Sequence, residues 1–144
     1  MTTPLYNSEI LRLAASIPFD ARLPQPMASV EKRSPVCGSR VTVDVDMDST
    51  GRIAAIGMQV RACALGQASA ALMHASAIGR SADELAIARD QLTAWLAGEG
   101  PAPAWPGLEI FEPALAHRGR HASIRLAFEA VAEAAARAQH SEAA

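Results

Sequence analysis

The chain has 144 residues, half of them hydrophobic, and a formal net charge of −2. That length suits one compact domain, and that apolar content can build a core without disulfide or metal staples. The near-neutral charge argues against a nucleic-acid partner, which needs a basic face to neutralise phosphates. No apolar run approaches the roughly 18 residues that span a bilayer, so no membrane association is expected. Met1–Asn7 lacks the basic stretch and apolar run of a secretory signal. The two cysteines then read as thiols rather than a structural disulfide, and cytoplasmic is the expected location.

In chain order, residues 6–17 predict a helix. Asn7 or Ser8 can cap it, Ile10, Leu11 and Ala14 fall at helical spacing, and Pro18 ends it. A loop with Pro24 and Pro26 follows, and residues 28–33 suit a strand. Val41, Val43, Val45 and Met47 alternate with Thr42, Asp44 and Asp46, the period of a half-buried strand. Ser49-Thr50-Gly51 supplies a turn, and Ala54, Ile56, Met58 and Val60 make the inward set of a second strand, completing a hairpin. The sheet is expected over about residues 28–61.

From about Ala64 the pattern becomes helical up to Ile78, with Gly79 at the terminating position. Ser81-Ala82-Asp83-Glu84 is a capping box, and Leu85, Ala88, Leu92 and Trp95 form an apolar stripe. A Pro- and Gly-rich loop spans residues 98–113. The last helix is expected over about residues 123–139, with Ile124, Ala127, Phe128, Val131 and Ala135 inward and a frayed tail from His140. Helix, strands, then helices predicts an α+β fold, with helices on one face of a small antiparallel sheet of about three strands.

Three residues stand out chemically. Cys37 lies in Pro35-Val36-Cys37-Gly38, a loop before the hairpin where Gly38 permits a tight turn. Cys63 lies where strand passes into helix, and a thiol at the positive end of a helix dipole is favoured as thiolate, the form that binds metal or attacks sulfur. His121 opens the last helix. Their spacing matches no short zinc motif, and each has an ordinary structural reading as a core thiol or a surface histidine. Asp44-Val45-Asp46-Met47-Asp48 invites a calcium reading. It fails, because Ser49 stands where the loop needs glycine and Ala55 where it needs a bidentate Glu; these carboxylates read as the wet face of a strand. His74 reads as structural, and Trp95 and Trp105 as core and loop anchors.

Tyr6-Asn7 with Ile10-Leu11, Pro35-Val36-Cys37-Gly38, Cys63 leading into a small-residue helix with Ser69, Gly79-Arg80-Ser81 before an acidic pair, and His121-Ala122-Ser123-Ile124 with Ala127 and Ala130 occur in that order. Together they resemble the U-type iron–sulfur cluster assembly scaffolds, the NifU N-terminal-like family, over nearly the whole chain. The resemblance implies a scaffold domain that assembles a [2Fe–2S] cluster on three cysteines plus one Asp or His, or relays sulfur from a cysteine desulfurase to apo-protein acceptors. By position it implies Cys37, Cys63 and His121 as ligands to iron or cluster, with Zn²⁺ as the alternative metal and a regulatory partner of a desulfurase as the alternative role. Two positions depart: Ser39 replaces the acidic residue and Ala122 the third cysteine. The family's Leu-Pro-Pro-Val-Lys chaperone motif is absent before His121. Solvent, a small thiol, or a second copy in a homodimer would then complete the ligand set. An enzymatic reading, with Cys37 as nucleophile and His121 as base, finds no orienting acid or oxyanion signature, so no enzyme is expected.

Overall fold

Asn7 opens the first helix as a cap: its side-chain oxygen accepts from the Ile10 N–H at 3.0 Å. This helix, α1, runs Ser8–Ser16 and buries Ile10 and Ala14. The structure is a computed structural model that describes residues 7–16, 20–35 and 38–143; Tyr6, Ile17 and Pro18 of the expected first helix and its end lie outside the described residues. Four strands follow: β1 (Asp20–Ala21), β2 (Ala28–Arg33), β3 (Arg40–Met47) and β4 (Ile53–Arg61). All pairings are antiparallel, in the order β1-β4-β3-β2. The three long strands are those the alternation predicts. The two-residue β1 is an addition, too short to leave a periodic signal.

Ala28, Val30 and Lys32 of β2 face Val45, Val43 and Val41 of β3, which in turn face Ile56, Met58 and Val60 of β4. This valine-rich layer is the face on which α2 (Ala64–Ala77) and α4 (His121–Ala143) pack, with α1 against α2 and α3 (Ala82–Leu96) against α4. One expected inward residue is displaced. Between Asp46 and Met47 the register shifts, so that Asp46 pairs with Ala55 and Met47 with Ile53. Ala54 is the extra residue of this bulge and is exposed, while Ile53 is 1 % exposed. An inserted residue reverses the inward–outward parity of everything beyond it, which continuous alternation does not foresee.

Part of the opposite sheet face is not wet, contrary to expectation: Thr42, Asp44 and Gly57 are buried there. The segment from β1 to β2 crosses it as a strap, and Asp44 beneath is fully buried. Its carboxylate accepts from the Arg22 guanidinium at 2.7 and 3.0 Å, the Ser29 hydroxyl at 2.6 Å and the Leu23 N–H at 3.1 Å. Burial pushes the carboxyl pKa up. The Arg22 hydrogen bonds outweigh it with Ser29, Leu23 and the Arg22 charge, and hold it below the ordinary value. The strap can lie this close because β4 carries Gly57. A Cβ there would sit 2.6 Å from the Leu23 nitrogen and 2.7 Å from the Ala21 oxygen. Asp46 and Asp48 are also employed: Asp46 accepts from the Met27 N–H, and Asp48 holds the turn through the Thr50 hydroxyl and the Thr50 and Arg52 N–H groups.

The capping box at α3 is present in full, with Ser81 accepting from the Glu84 N–H and Glu84 from the Ser81 N–H. Glu84 also accepts from Arg52 at 2.7 Å, and Arg52 donates to the Gly79 carbonyl, so the β3–β4 turn is tied to the α2–α3 junction. In the expected loop after α3, residues 108–114 form a 3-10 turn with buried Leu108 and Phe111. Trp105 is buried, donates to the Leu72 carbonyl at 2.8 Å and meets Phe128 edge-on at 5.1 Å. The last helix begins two residues earlier than expected, and instead of fraying at His140 it continues to Ala143.

Two outcomes are expected. Gly57→Ala forces strap or strand to move and costs about 1–3 kcal/mol, read as a lower midpoint in urea unfolding. Asp44 has a depressed folded pKa, so its contribution is complete above its unfolded pKa of about 4 and is lost as pH falls through the folded value. Asp44→Asn therefore destabilises at pH 7 and brings the variant close to the parent near pH 2, measured by urea unfolding at both pH values.

Candidate functional site

Cys63 is the N-cap residue of α2, in extended conformation at φ −66°, ψ 171°. It follows β4 after Arg61 and Ala62, so the sheet delivers it to the helix start. Its sulfur makes no capping hydrogen bond. It is partly buried, packed against the core, and is a free thiol.

The start of α4 lies beside this helix end. Gly66, one turn into α2, has the Ser123 carbonyl oxygen 3.4 Å from where its Cβ would be. One turn further on, the Ser69 hydroxyl donates to the Ile124 carbonyl at 2.6 Å in a buried contact. The two helices lie against each other here, and the buried Ser69 hydroxyl is satisfied by the approach; a Cβ at Gly66 would be tightest against the Ala62 methyl, at 2.7 Å. Cys63 at the end of one helix and His121 at the end of the other are carried to the same region by that contact.

His121 is 6 % exposed, and its Nε2 stands 2.9 Å from the Ala114 carbonyl oxygen. A carbonyl only accepts, so Nε2 carries a proton, and in the neutral form of the ring this tautomer puts the lone pair at Nδ1. Metal-bound histidines are commonly held in this way, with the second ring nitrogen donating to a backbone carbonyl. The same bond also serves folding, since it ties the 3-10 turn to α4. Ala122, next in the chain, offers only a methyl group.

Cys37 and Val36 lie outside the described residues. The loop that contains them joins β2 to β3 and is closed by the Ser34 N–H donating to the Ser39 carbonyl at 2.8 Å. Gly38 adopts φ +73°, the left-handed conformation expected there. Ser39 is 3 % exposed. Arg33, Arg40 and Arg61 pair in register across β2, β3 and β4, so this end of the sheet carries a row of guanidinium groups on its outer face. Glu31 lies 2.9 Å from Arg33 and 3.7 Å from Arg40. No local pattern signals this row, because it exists only once strand register is set. Among the described residues no three His, Cys, Asp or Glu side chains gather into a metal-binding group. A surface cavity of about 780 Å³ between α3 and α4, bordered by Lys32, Asp83, Arg89 and Glu133, contains neither Cys63 nor His121. His74, in the last turn of α2, is part-exposed and lines neither that cavity nor the one beside His121.

The fold has counterparts of known structure. A nitrogen-fixing NifU-like protein (N-terminal) from Brucella abortus is 38 % identical, with a TM-score of 0.88 over 94 % of this chain and 95 % of that one. A Fervidobacterium islandicum protein described as an iron–sulfur cluster assembly scaffold for the SUF system superimposes with a TM-score of 0.83 at 19 % identity, over 91 % and 96 % of the two chains, a likeness of fold. No family model and no curated protein sequence matches the chain.

The folding contribution of His121 is read by substitution. His121→Ala leaves the Ala114 carbonyl without its donor and should cost about 1–3 kcal/mol. His121→Gln places an amide N–H near the Nε2 position and should recover part of that loss. Chemical denaturation of the metal-free variants checks both.

Proposed function

The chain belongs to the U-type iron–sulfur cluster assembly scaffold family, and from that premise we propose that it carries iron or a [2Fe–2S] cluster as cargo on Cys37, Cys63 and Nδ1 of His121. The observation that carries this reading is the pair of donors at the adjoining ends of α2 and α4: a thiol without a capping hydrogen bond, and a buried imidazole whose Nε2–H is committed to Ala114. Thiolate and imidazole are the donors that iron–sulfur centres and zinc use. The fit is incomplete, since a [2Fe–2S] cluster takes four terminal ligands and this chain offers three. In this role the protein's work is to hold soft donors at fixed orientation, to keep His121 in one tautomer, and to leave one face open for transfer. A cysteine desulfurase as sulfur source and apo-proteins as acceptors are the partners this role requires.

The same three donors suit a Zn²⁺ site with one open position, which would make the protein a metal-holding regulatory partner of a desulfurase. Anaerobic reconstitution with iron and sulfide separates the two readings. About two iron and two sulfide per chain or per dimer, with visible absorbance lost in Cys37→Ala and Cys63→Ala and weakened in His121→Gln, is the expected result. Absorbance unchanged in both cysteine variants refutes the ligand assignment. Stoichiometric zinc with no stable cluster selects the zinc reading.

A further inference from the structure

Three arginines stand side by side at the end of the sheet nearest Cys63. Arg33 of β2 pairs with Arg40 of β3, and Arg40 with Arg61 of β4. Their neighbours Lys32, Val41 and Val60 form the adjacent row on the helix side, where Lys32 reaches Glu133 of α4 at 3.3 Å. Alternation therefore sends all three arginines to the outer face. The strap crosses that face four residues further along β3, over Asp44, and leaves Arg33 and Arg61 exposed and Arg40 part-exposed. The next outer row is Glu31, Thr42 and Gln59. Glu31 supplies the carboxylate there, 2.9 Å from Arg33 and 3.7 Å from Arg40. Arg61 has no ion-pair partner among the described residues. Three arginines against one glutamate leave the patch net positive. Like charges directly opposite on neighbouring strands destabilise a sheet, so the Arg40–Arg61 pair works against the fold. A local rule broken without a compensating contact is characteristic of a functional surface.

We propose that this row is a docking surface for the acidic face of a helix on a partner protein. Neighbouring strands set successive arginines roughly 5 Å apart, so that three span roughly 10 Å. Carboxylates one turn apart on a helix repeat at about 5–6 Å, whereas same-side residues of an extended strand repeat at roughly 7 Å. A helix laid across the strands can thus bring one carboxylate to each guanidinium, whose planar fork pairs with carboxylate through two parallel hydrogen bonds. The net charge of −2 disfavours a nucleic acid as the occupant. Cys63 follows Arg61 by two residues, so a partner held here stands beside the end of α2 that carries the thiol. Metal binding plays no part in this recognition.

The test is an NMR titration of the full chain at low salt with an alanine-based helical peptide bearing three glutamates one turn apart, and with its glutamine counterpart. The glutamate peptide should shift the amide signals around Arg33, Arg40 and Arg61, bind roughly tenfold more tightly than the glutamine peptide, and weaken as salt is raised. That preference should shrink in Arg61→Gln and vanish in an Arg40→Gln, Arg61→Gln double variant whose circular dichroism matches the parent. Arg61→Gln should unfold in urea at the parent's midpoint or above it, since the substitution relieves a repulsion. Equal affinity for the two peptides, or a preference kept by the double variant, overturns the proposal. A lower urea midpoint for Arg61→Gln gives the row a structural role and overturns it too. So does tighter binding of a duplex DNA oligonucleotide, or self-association of the chain, through the same arginines. Each of these results leaves the scaffold reading standing.

Discussion

The close approach of α2 to α4 is the contact on which the candidate site depends. A Cβ at Gly66 would sit 2.7 Å from the Ala62 Cβ, in the turn that carries Cys63, and 3.4 Å from the Ser123 carbonyl of α4, while Ser69 turns a buried hydroxyl into a hydrogen bond with the Ile124 carbonyl. A larger residue at position 69 would lose that bond and crowd α4, and a side chain at position 66 would first displace Ala62 beside Cys63. The N-terminal ends of the two helices carry Cys63 and His121. The alanines of both helices serve the same requirement deeper in the core, where Ala68, Ala70, Ala127 and Ala130 are buried and small side chains allow dense packing without strain.

A second constraint acts on the other side of the sheet. The strap from β1 to β2 buries a carboxylate, and a buried charge is tolerated only when paired and hydrogen-bonded. Asp44 meets that condition with donors from Arg22, Ser29 and the Leu23 backbone. Two segments, Arg22–Leu23 and β2, must therefore be in place over β3 for the charge to be accommodated, and Gly57 provides the clearance. The outer sheet face is covered only over Thr42, Asp44 and Gly57, and Glu31, Arg33 and Arg61 stay exposed towards the end where β4 passes into Cys63. That end carries the row of Arg33, Arg40 and Arg61. A positively charged rim beside a thiol is an electrostatic setting that favours anionic ligands and partners.

Much of the fold was legible from residue order. Period-two alternation located β3 and β4, Ser81 to Glu84 announced the start of α3, and Asn7 capped α1. What failed did so for physical reasons. Ala54 was assigned inward because a bulge changes parity without changing composition. Asp44 was assigned to solvent because its partner Arg22 is 22 residues away, and a salt bridge at that distance leaves no local pattern. The cavity beside Ala122 joins the end of α3 to the start of α4, so its lining was equally invisible in either segment alone.

By itself the sequence determined which reactive side chains are available: two thiols, an imidazole before Ala122, and serine at position 39. It determined these because ligand chemistry belongs to individual side chains. It also determined the α+β class, because hydrophobic period is a local property of the chain. Tertiary structure decided that the ends of α2 and α4 meet, that His121 commits its Nε2–H to Ala114, and that Arg118 and Arg125 border one cavity with it. Each of these depends on contacts between residues far apart in the chain, and only packing brings them within reach.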